Sequence, residues 1–300
     1  MLIKVWYSKI LLQNKNSVKY ILIGEVKGMK KQLLKTLAAG VLVSALCLTS
    51  YGNSGIKMIE IPEMIEISGK NFKMSATEIT QKQYEKVMGE NPSWFQISNE
   101  ELEDETRKQL KDSSNNPVEN VSWYDAIYFC NKLSKEKGCT PVYAVNGNTN
   151  PDKWGYTPHQ KSKIKGKITQ DLTANGFRLP TVEEWQYAAR GGQNYEYSGS
   201  DNLDEVGWYY NNSGERTHPV AQKKANGYGL YDMSGNVWEL CWDFYSDISN
   251  HRYRRGGSCY YRGNDGGYDC KVSRSYDYDY DGADYQYYDV GFRIVCSASN

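Results

Sequence analysis

Three stretches of the chain repeat apolar residues at helical spacing, and each is introduced by the same polar device. Thr80 with Gln83 precedes Tyr84, Val87 and Met88, and Gly89 follows. Ser122 with Asp125 precedes Ala126, Phe129, Cys130 and Leu133, with Gly138 beyond. Thr181 with Glu184 precedes Trp185, Ala188 and Ala189, and Gly191 comes after. A hydroxyl followed three residues later by an acid or amide satisfies the orphan N–H groups of a first turn. A glycine then allows a left-handed stop. The i, i+3, i+4 spacing predicts three short, half-buried helices.

Elsewhere the pattern is of short apolar runs broken by Gly, Asn and Asp. Residues 58–67 read as strands, and the polar, Lys-rich stretch 145–175 reads as a loop. No internal repeat or long linker divides 55–296, so residues 55–300 are expected to form one α+β domain with much irregular structure. Ahead of it, Met29-Lys-Lys, an apolar run from Leu33 to Leu48 and then Tyr51-Gly-Asn-Ser-Gly read as an export signal. The run is marginal for a transmembrane span. Residues 1–28 are out of place upstream of such a signal, which points to Met29 as the true start. Cys47 stands where a lipoprotein cysteine would, although Leu46 before it is bulkier than that signal prefers, and lipidation stays open. The expectation is an exported protein at the cell surface or outer membrane, touching the membrane only through a lipid at Cys47.

Charge changes the picture once it is divided. The chain has 36 basic and 36 acidic side chains, but residues 1–50 hold eight lysines and one acid, Glu25. The remainder has 28 basic and 35 acidic residues, a net of −7, which is unsuited to nucleic acid or to an anionic membrane. The seven cysteines form no C-x-x-C pair and the three histidines are scattered, so no zinc framework is present. Cys130, on a helical apolar face, reads as buried thiol. The 26 Tyr against 6 Phe suggest amphipathic surface contact as much as core.

Much of that tyrosine falls in 259–289, which holds nine Tyr, seven Asp and four Gly and lacks Leu, Ile, Phe, Met and Trp. Such a segment is expected to lie outside the core as exposed loop. Tyrosine amid small polar residues is the chemistry of a recognition surface, giving stiff contact area at low entropy cost. The candidate contact residues are Cys259, Tyr260, Arg262, Asn264, Asp265, Tyr268, Asp269, Tyr276, Asp277, Tyr278, Asp279, Tyr280, Asp284, Tyr285, Tyr287, Tyr288 and Asp289. Their aspartates would favour cationic partners. Asp277-x-Asp279-x-Asp281-Gly282 matches the first half of an EF-hand loop, but position twelve is Tyr288 where a glutamate is required.

Four segments, in order, carry a family resemblance: Thr77–Ser93, Asn116–Ala126, Gly176–Gly192, and Asn226–Glu239 continued by Arg255-Gly-Gly-Ser258 and Gly291-Phe-Arg-Ile-Val295. They resemble the formylglycine-generating-enzyme (sulfatase-modifying-factor) family. The resemblance implies a C-type-lectin-like fold. It implies two catalytic cysteines at the third and eighth positions after Ser258, which here are Tyr261 and Gly266, while Cys259 and Cys270 miss both places. Oxidase activity is therefore not expected, since thiol chemistry is position-dependent. It also implies a calcium site made of the side chains of Asp232 and Glu239 with the carbonyls of Gly235 and Val237. All of 259–289 except Lys271 and Gln286 belongs to the residue set of codons ending in a pyrimidine, with family sequence on both sides. The segment resembles the variable region of diversity-generating-retroelement targets, whose binding residues are rewritten by adenine-directed mutation. The expectation is a non-catalytic surface receptor for a protein or cell-surface ligand, with a divergent oxidase or a fixed adhesin as alternatives.

Overall fold

The computed structural model describes residues 8–14, 17–23, 61–244, 251–260, 267–276 and 282–298. The chain divides into two units, 1–58 and 59–300. In the first, β1 (Ser8–Asn14) and β2 (Ser17–Ile23) pair as an antiparallel hairpin. The expected export signal and Cys47 lie outside the described residues.

The second unit begins with β3 (Met64–Glu66), β4 (Phe72–Ser75), α1 (Gln81–Met88), α2 (Asp104–Leu110) and α3 (Trp123–Glu136). Next come β5 (Tyr143–Val145), β6 (Ile168–Gln170), α4 (Val182–Arg190), α5 (Leu203–Val206) and α6 (Tyr210–Ser213). It closes with β7 (Trp238–Phe244), β8 (Arg252–Arg255), β9 (Ser275–Tyr276), β10 (Val290–Gly291) and β11 (Val295–Ser297). The largest sheet has the order β10-β7-β8-β9, with β10 parallel to β7 and the other neighbours antiparallel. A second sheet, β11-β4-β3, brings the end of the domain back beside its beginning.

The three capped helices form where the polar signals stand. Thr80, Ser122 and Thr181 each close a reciprocal capping box with Gln83, Asp125 and Glu184, and Gly89 and Gly191 take the left-handed conformation at the ends of α1 and α4. One expectation fails in α3, which is not half-buried: Asp125, Asn131 and Ser134 are as buried as its apolar face. The cause is the stretch 145–175, which is more than a loop. It sends Trp154, Tyr156 and Ile164 into the same core as α3 and contributes β6. The polar side chains so covered are each satisfied: Asn131 bonds the carbonyls of Tyr143 and Thr149, and Ser134 that of Cys130. Of 58–67, only Met64–Glu66 is strand among the described residues, with the turn at Gly69 (φ 75°) following closely.

Arg293 joins the two sheets. Fully buried between β10 and β11, it donates twice to Glu239 of β7, at 2.6 and 2.7 Å, and to the carbonyls of Ser75 on β4 and Tyr231. Trp185 of α4 donates its indole N–H to the same carboxylate at 2.6 Å. Helix and both sheets therefore share one charge pair in the core.

Candidate ligand-binding site

Where it is described, the segment 259–289 is gripped by its backbone at several points. Ser213 donates to the carbonyl of Cys259 at 2.6 Å, Trp123 N–H to that of Ala283 at 3.0 Å, Asn120 N–H to that of Tyr287 at 2.7 Å and Trp238 N–H to that of Asp289 at 2.8 Å. Ser258 clasps the two ends by donating to the Asp289 carboxylate at 2.8 Å. Entry and exit are made of glycine for steric reasons. Gly257 has φ 75°, and a Cβ there would lie 2.5 Å from the Cys270 sulfur; one on Gly291 would lie 2.3 Å from the Val118 carbonyl oxygen.

The segment is not wholly outside the core, contrary to its composition. Cys259, Cys270, Val272 and Ala283 are buried, the last three packed within hydrophobic clusters as small apolar pins. Cys259 is accordingly removed from the candidate contact residues: it is fully buried, and burial pushes its thiol well above the ordinary range, with Asp289 adding to the rise. Such a thiol is inert.

The described tyrosines divide by exposure. Tyr260, Tyr268 and Tyr285 are exposed, whereas Tyr287 and Tyr288 are half-buried rather than solvent-facing. Tyr285 and Tyr287 stack with centroids 5.9 Å apart. Tyr260 and Tyr288 meet edge to face at 4.8 Å, and Tyr288 also packs on Trp94 and Phe95. Tyr268 lies beneath Lys271 and Arg274. The aspartates are mostly engaged: Asp284 pairs with Lys163 at 3.5 Å, Asp269 with Arg274 at 3.7 Å, and Asp289 holds Ser258. Tyr276 pairs with Arg254 through the backbone of β9. Arg262, Asn264, Asp265, Asp277, Tyr278, Asp279 and Tyr280, like the expected catalytic positions Tyr261 and Gly266, lie outside the described residues.

Beside the Tyr260–Tyr288 pair opens a cavity of about 910 Å³. Trp94, Phe95 and Tyr210 extend its aromatic lining, and Glu101, Glu103 and Glu215 supply carboxylates. None of these six stood out in the sequence. Beneath the cavity, Glu119 is fully buried and accepts from the backbone N–H groups of Trp94 (2.8 Å) and Phe95 (2.9 Å). Burial raises its pKa to about 8, against the lowering effect of those two bonds. The signal that would have found it is Glu119 itself, a lone acid between Val118 and Val121 in the second family segment.

The positions expected to bind calcium do not fit that ion as a set. Both oxygens of Glu239 are occupied by Arg293 and Trp185, and an ion there would stand against a buried guanidinium. Asp232 accepts from Ala221 N–H at 2.7 Å, and burial raises its pKa to about 6. Its other oxygen has no hydrogen-bond partner among the described residues. Among the described residues no group of three or more His, Cys, Asp or Glu is placed to hold a metal.

Known proteins resemble the chain in sequence and in fold. The sequence matches the family described as sulfatase-modifying factor enzyme 1-like domain over residues 43–298. It is 37% identical over 256 residues to a protein of Paenibacillus barcinonensis named chaperone protein LppX, covering 73% of this chain and 82% of that one. The formylglycine-generating enzyme of Streptomyces coelicolor is 42% identical over only 86 residues, 24% of this chain and 27% of the enzyme. Among solved structures, Treponema denticola variable protein 1 superposes with a TM-score of 0.64 at 33% identity, covering 79% of this chain and 92% of that one. CarF superposes with a TM-score of 0.56 at 28% identity, covering 80% and 94%.

Proposed function

The chain belongs to the sulfatase-modifying factor enzyme 1-like family, and from that premise we propose that it is a binding member of the family, not a catalytic one. Likeness to a variable protein over most of both chains supports a ligand-binding role. The observation that carries the reading is how 259–289 is held: framework donors grip its carbonyls, while Tyr260 and Tyr288 line an open cavity. Carbonyls are the same in every residue. Side chains on such a segment can therefore change widely at small cost to the fold. Thiol oxidation has no support in the residues, because the two catalytic positions are Tyr261 and Gly266 and the neighbouring Cys259 is buried.

The finer reading is a receptor exported by the signal at 29–50 and displayed at the cell surface, with Cys47 as the candidate lipid anchor. Its contact residues, Tyr260, Tyr268, Tyr285, Tyr287 and Tyr288 with the other candidate positions after the buried Cys259, are rewritten by a retroelement. Its ligand is a protein or cell-surface molecule, since the acidic body disfavours nucleic acid. A display library randomised at Tyr260, Tyr268, Tyr285 and Tyr287 tests the binding role. Folded variants that bind unrelated target proteins are expected, and general loss of folding would overturn it. Conversion of a cysteine peptide to formylglycine, with copper and oxygen supplied, would overturn the non-catalytic reading. A near-copy of codons 259–289 with adenines at the varied positions, beside a reverse-transcriptase gene, is expected in the flanking DNA.

A further inference from the structure

The grip on the carbonyls of 259–289 fixes where the chain runs, but not which way its side chains face. Lys271 and Gln286, the two residues of the segment outside the pyrimidine-ending codon set, both reach a carboxylate of the framework. Lys271 Nζ lies 2.7 Å from Glu196 Oε1, and Gln286 Nε2 donates to Asp125 Oδ2 at 3.1 Å. The codon set offers arginine as its one permanent cation and asparagine as its one amide, a methylene shorter than glutamine. Each partner is itself held in place. The Glu196 carbonyl accepts from the N–H of the buried Val272 at 3.0 Å. Asp125 is fully buried and also accepts from Ser122, Tyr156 and the His159 N–H. Asp284 meets a framework charge too, but its partner at 3.5 Å is the exposed Lys163.

Each of the two stands beside a candidate contact ring. The Lys271 ammonium lies 4.7 Å from the ring centroid of the exposed Tyr268. Arg274, over the same ring at 4.5 Å, pairs within the segment with Asp269, whereas Lys271 carries the tie out to the framework. Gln286 reaches inward from between Tyr285 and Tyr287, which stack at 5.9 Å with their planes 12° apart. The stack puts those two rings on one side of the chain, and the residue between them is tied to the buried side.

We propose that Lys271 and Gln286 are the positioning residues of the binding surface: Lys271, through Glu196, orients the Tyr268 ring, and Gln286, through Asp125, turns the Tyr285–Tyr287 pair outward. A partly exposed ion pair adds little to stability, and Asp125 keeps its other donors when Gln286 is lost, so the contribution is to geometry rather than to folding. The proposal rests on the reading of 259–289 as a contact surface and adds the residues that aim it.

The full chain, with meta-fluorotyrosine replacing Tyr268 or Tyr285, reports each ring through one fluorine resonance. Glu196→Gln, which leaves the lysine in place, and Lys271→Met should both shift the Tyr268 signal and leave that of Tyr285 where it is. Gln286→Ala should do the reverse. Gln286→Glu, equal in length but acidic, should move the Tyr285 signal as the alanine does, whereas Lys271→Arg should keep the parent Tyr268 signal. Melting temperatures of Glu196→Gln, Lys271→Met and Gln286→Ala should stay within about 4 °C of the parent. Resonances unmoved by Glu196→Gln and Gln286→Ala, or moved alike at both sites by either one, would overturn the positioning role. A display library that yields no binders would instead remove the receptor reading and leave these resonances standing.

Discussion

The Arg293 centre and the 259–289 segment are both rich in polar groups, yet they are built in opposite ways. At the centre, side chains do the holding: one guanidinium bonds Glu239, Ser75 and Tyr231, and Trp185 completes the carboxylate's shell. In the segment the main chain is gripped, at Cys259, Ala283, Tyr287 and Asp289. A side-chain clamp fixes residue identity, because each partner's charge and reach are needed. A main-chain clamp fixes only the path. The same domain thus contains one region fixed through its side chains and one whose path is held through its main chain.

The sharpest way to break this contrast is Glu239→Ala. It leaves a buried guanidinium unpaired and should destabilise the domain by about 3–5 kcal/mol. Trp185→Ala removes a fully buried ring and a donor to Glu239, with a similar expected loss of about 3–5 kcal/mol. Denaturant melts would measure both, and losses under 1 kcal/mol would dissolve the distinction between the regions.

Next in size is a pH effect. The folded-state pKa of Glu119 is raised to about 8 and that of Asp232 to about 6, whereas unfolded carboxylates titrate near 4. The stabilisation from their protonated forms is complete below about pH 4 and is lost as pH rises through about 6 for Asp232 and about 8 for Glu119. The melting temperature should therefore be lower at pH 8.5 than at pH 5.5, and Glu119→Gln should flatten the part of the slope above pH 6. A flat profile in the parent protein would show that Glu119 is not held protonated under the Trp94 loop.

Smaller still is Tyr285→Ala, in which an exposed ring stacked on Tyr287 should change stability by about 0.5 kcal/mol or less. A change near that of Trp185→Ala would place the segment with the framework. The smallest effect expected is none at all. Excess chelator should leave the melting curve in place, because Glu239 is bound to Arg293 rather than free for calcium; a drop that calcium reverses would reinstate the ion.

What could be read from the sequence was what is local in it. The capping boxes of Thr80, Ser122 and Thr181 span three residues each, so the helix starts were legible. The tyrosine-rich segment and its glycine frame were legible as composition. The burial of α3 was not, because the cover comes from Trp154, Tyr156 and Ile164, set in a stretch whose lysines hide them. Helix α2 carries no apolar period and buries only Leu110, so nothing announced it. The partnership of Arg293 with Glu239 crosses 54 residues. The acidic lining of the cavity was missed for the same reason, since Glu101, Glu103 and Glu215 look like ordinary solvated charge until the chain brings them to one opening.

The Ser258–Asp289 clasp has a consequence for length as well as composition. Its two ends sit beside β8 and β10, strands that flank β7 in one sheet, so the segment begins and finishes on a rigid base whatever lies between. The entropy of closing a loop on such a base grows only with the logarithm of its residue count, about 0.6 kcal/mol for each doubling. Insertions between one pinned point and the next are therefore nearly as inexpensive as substitutions. Reach across a ligand surface, and not just its chemistry, becomes a quantity that inheritance can adjust without rebuilding the domain.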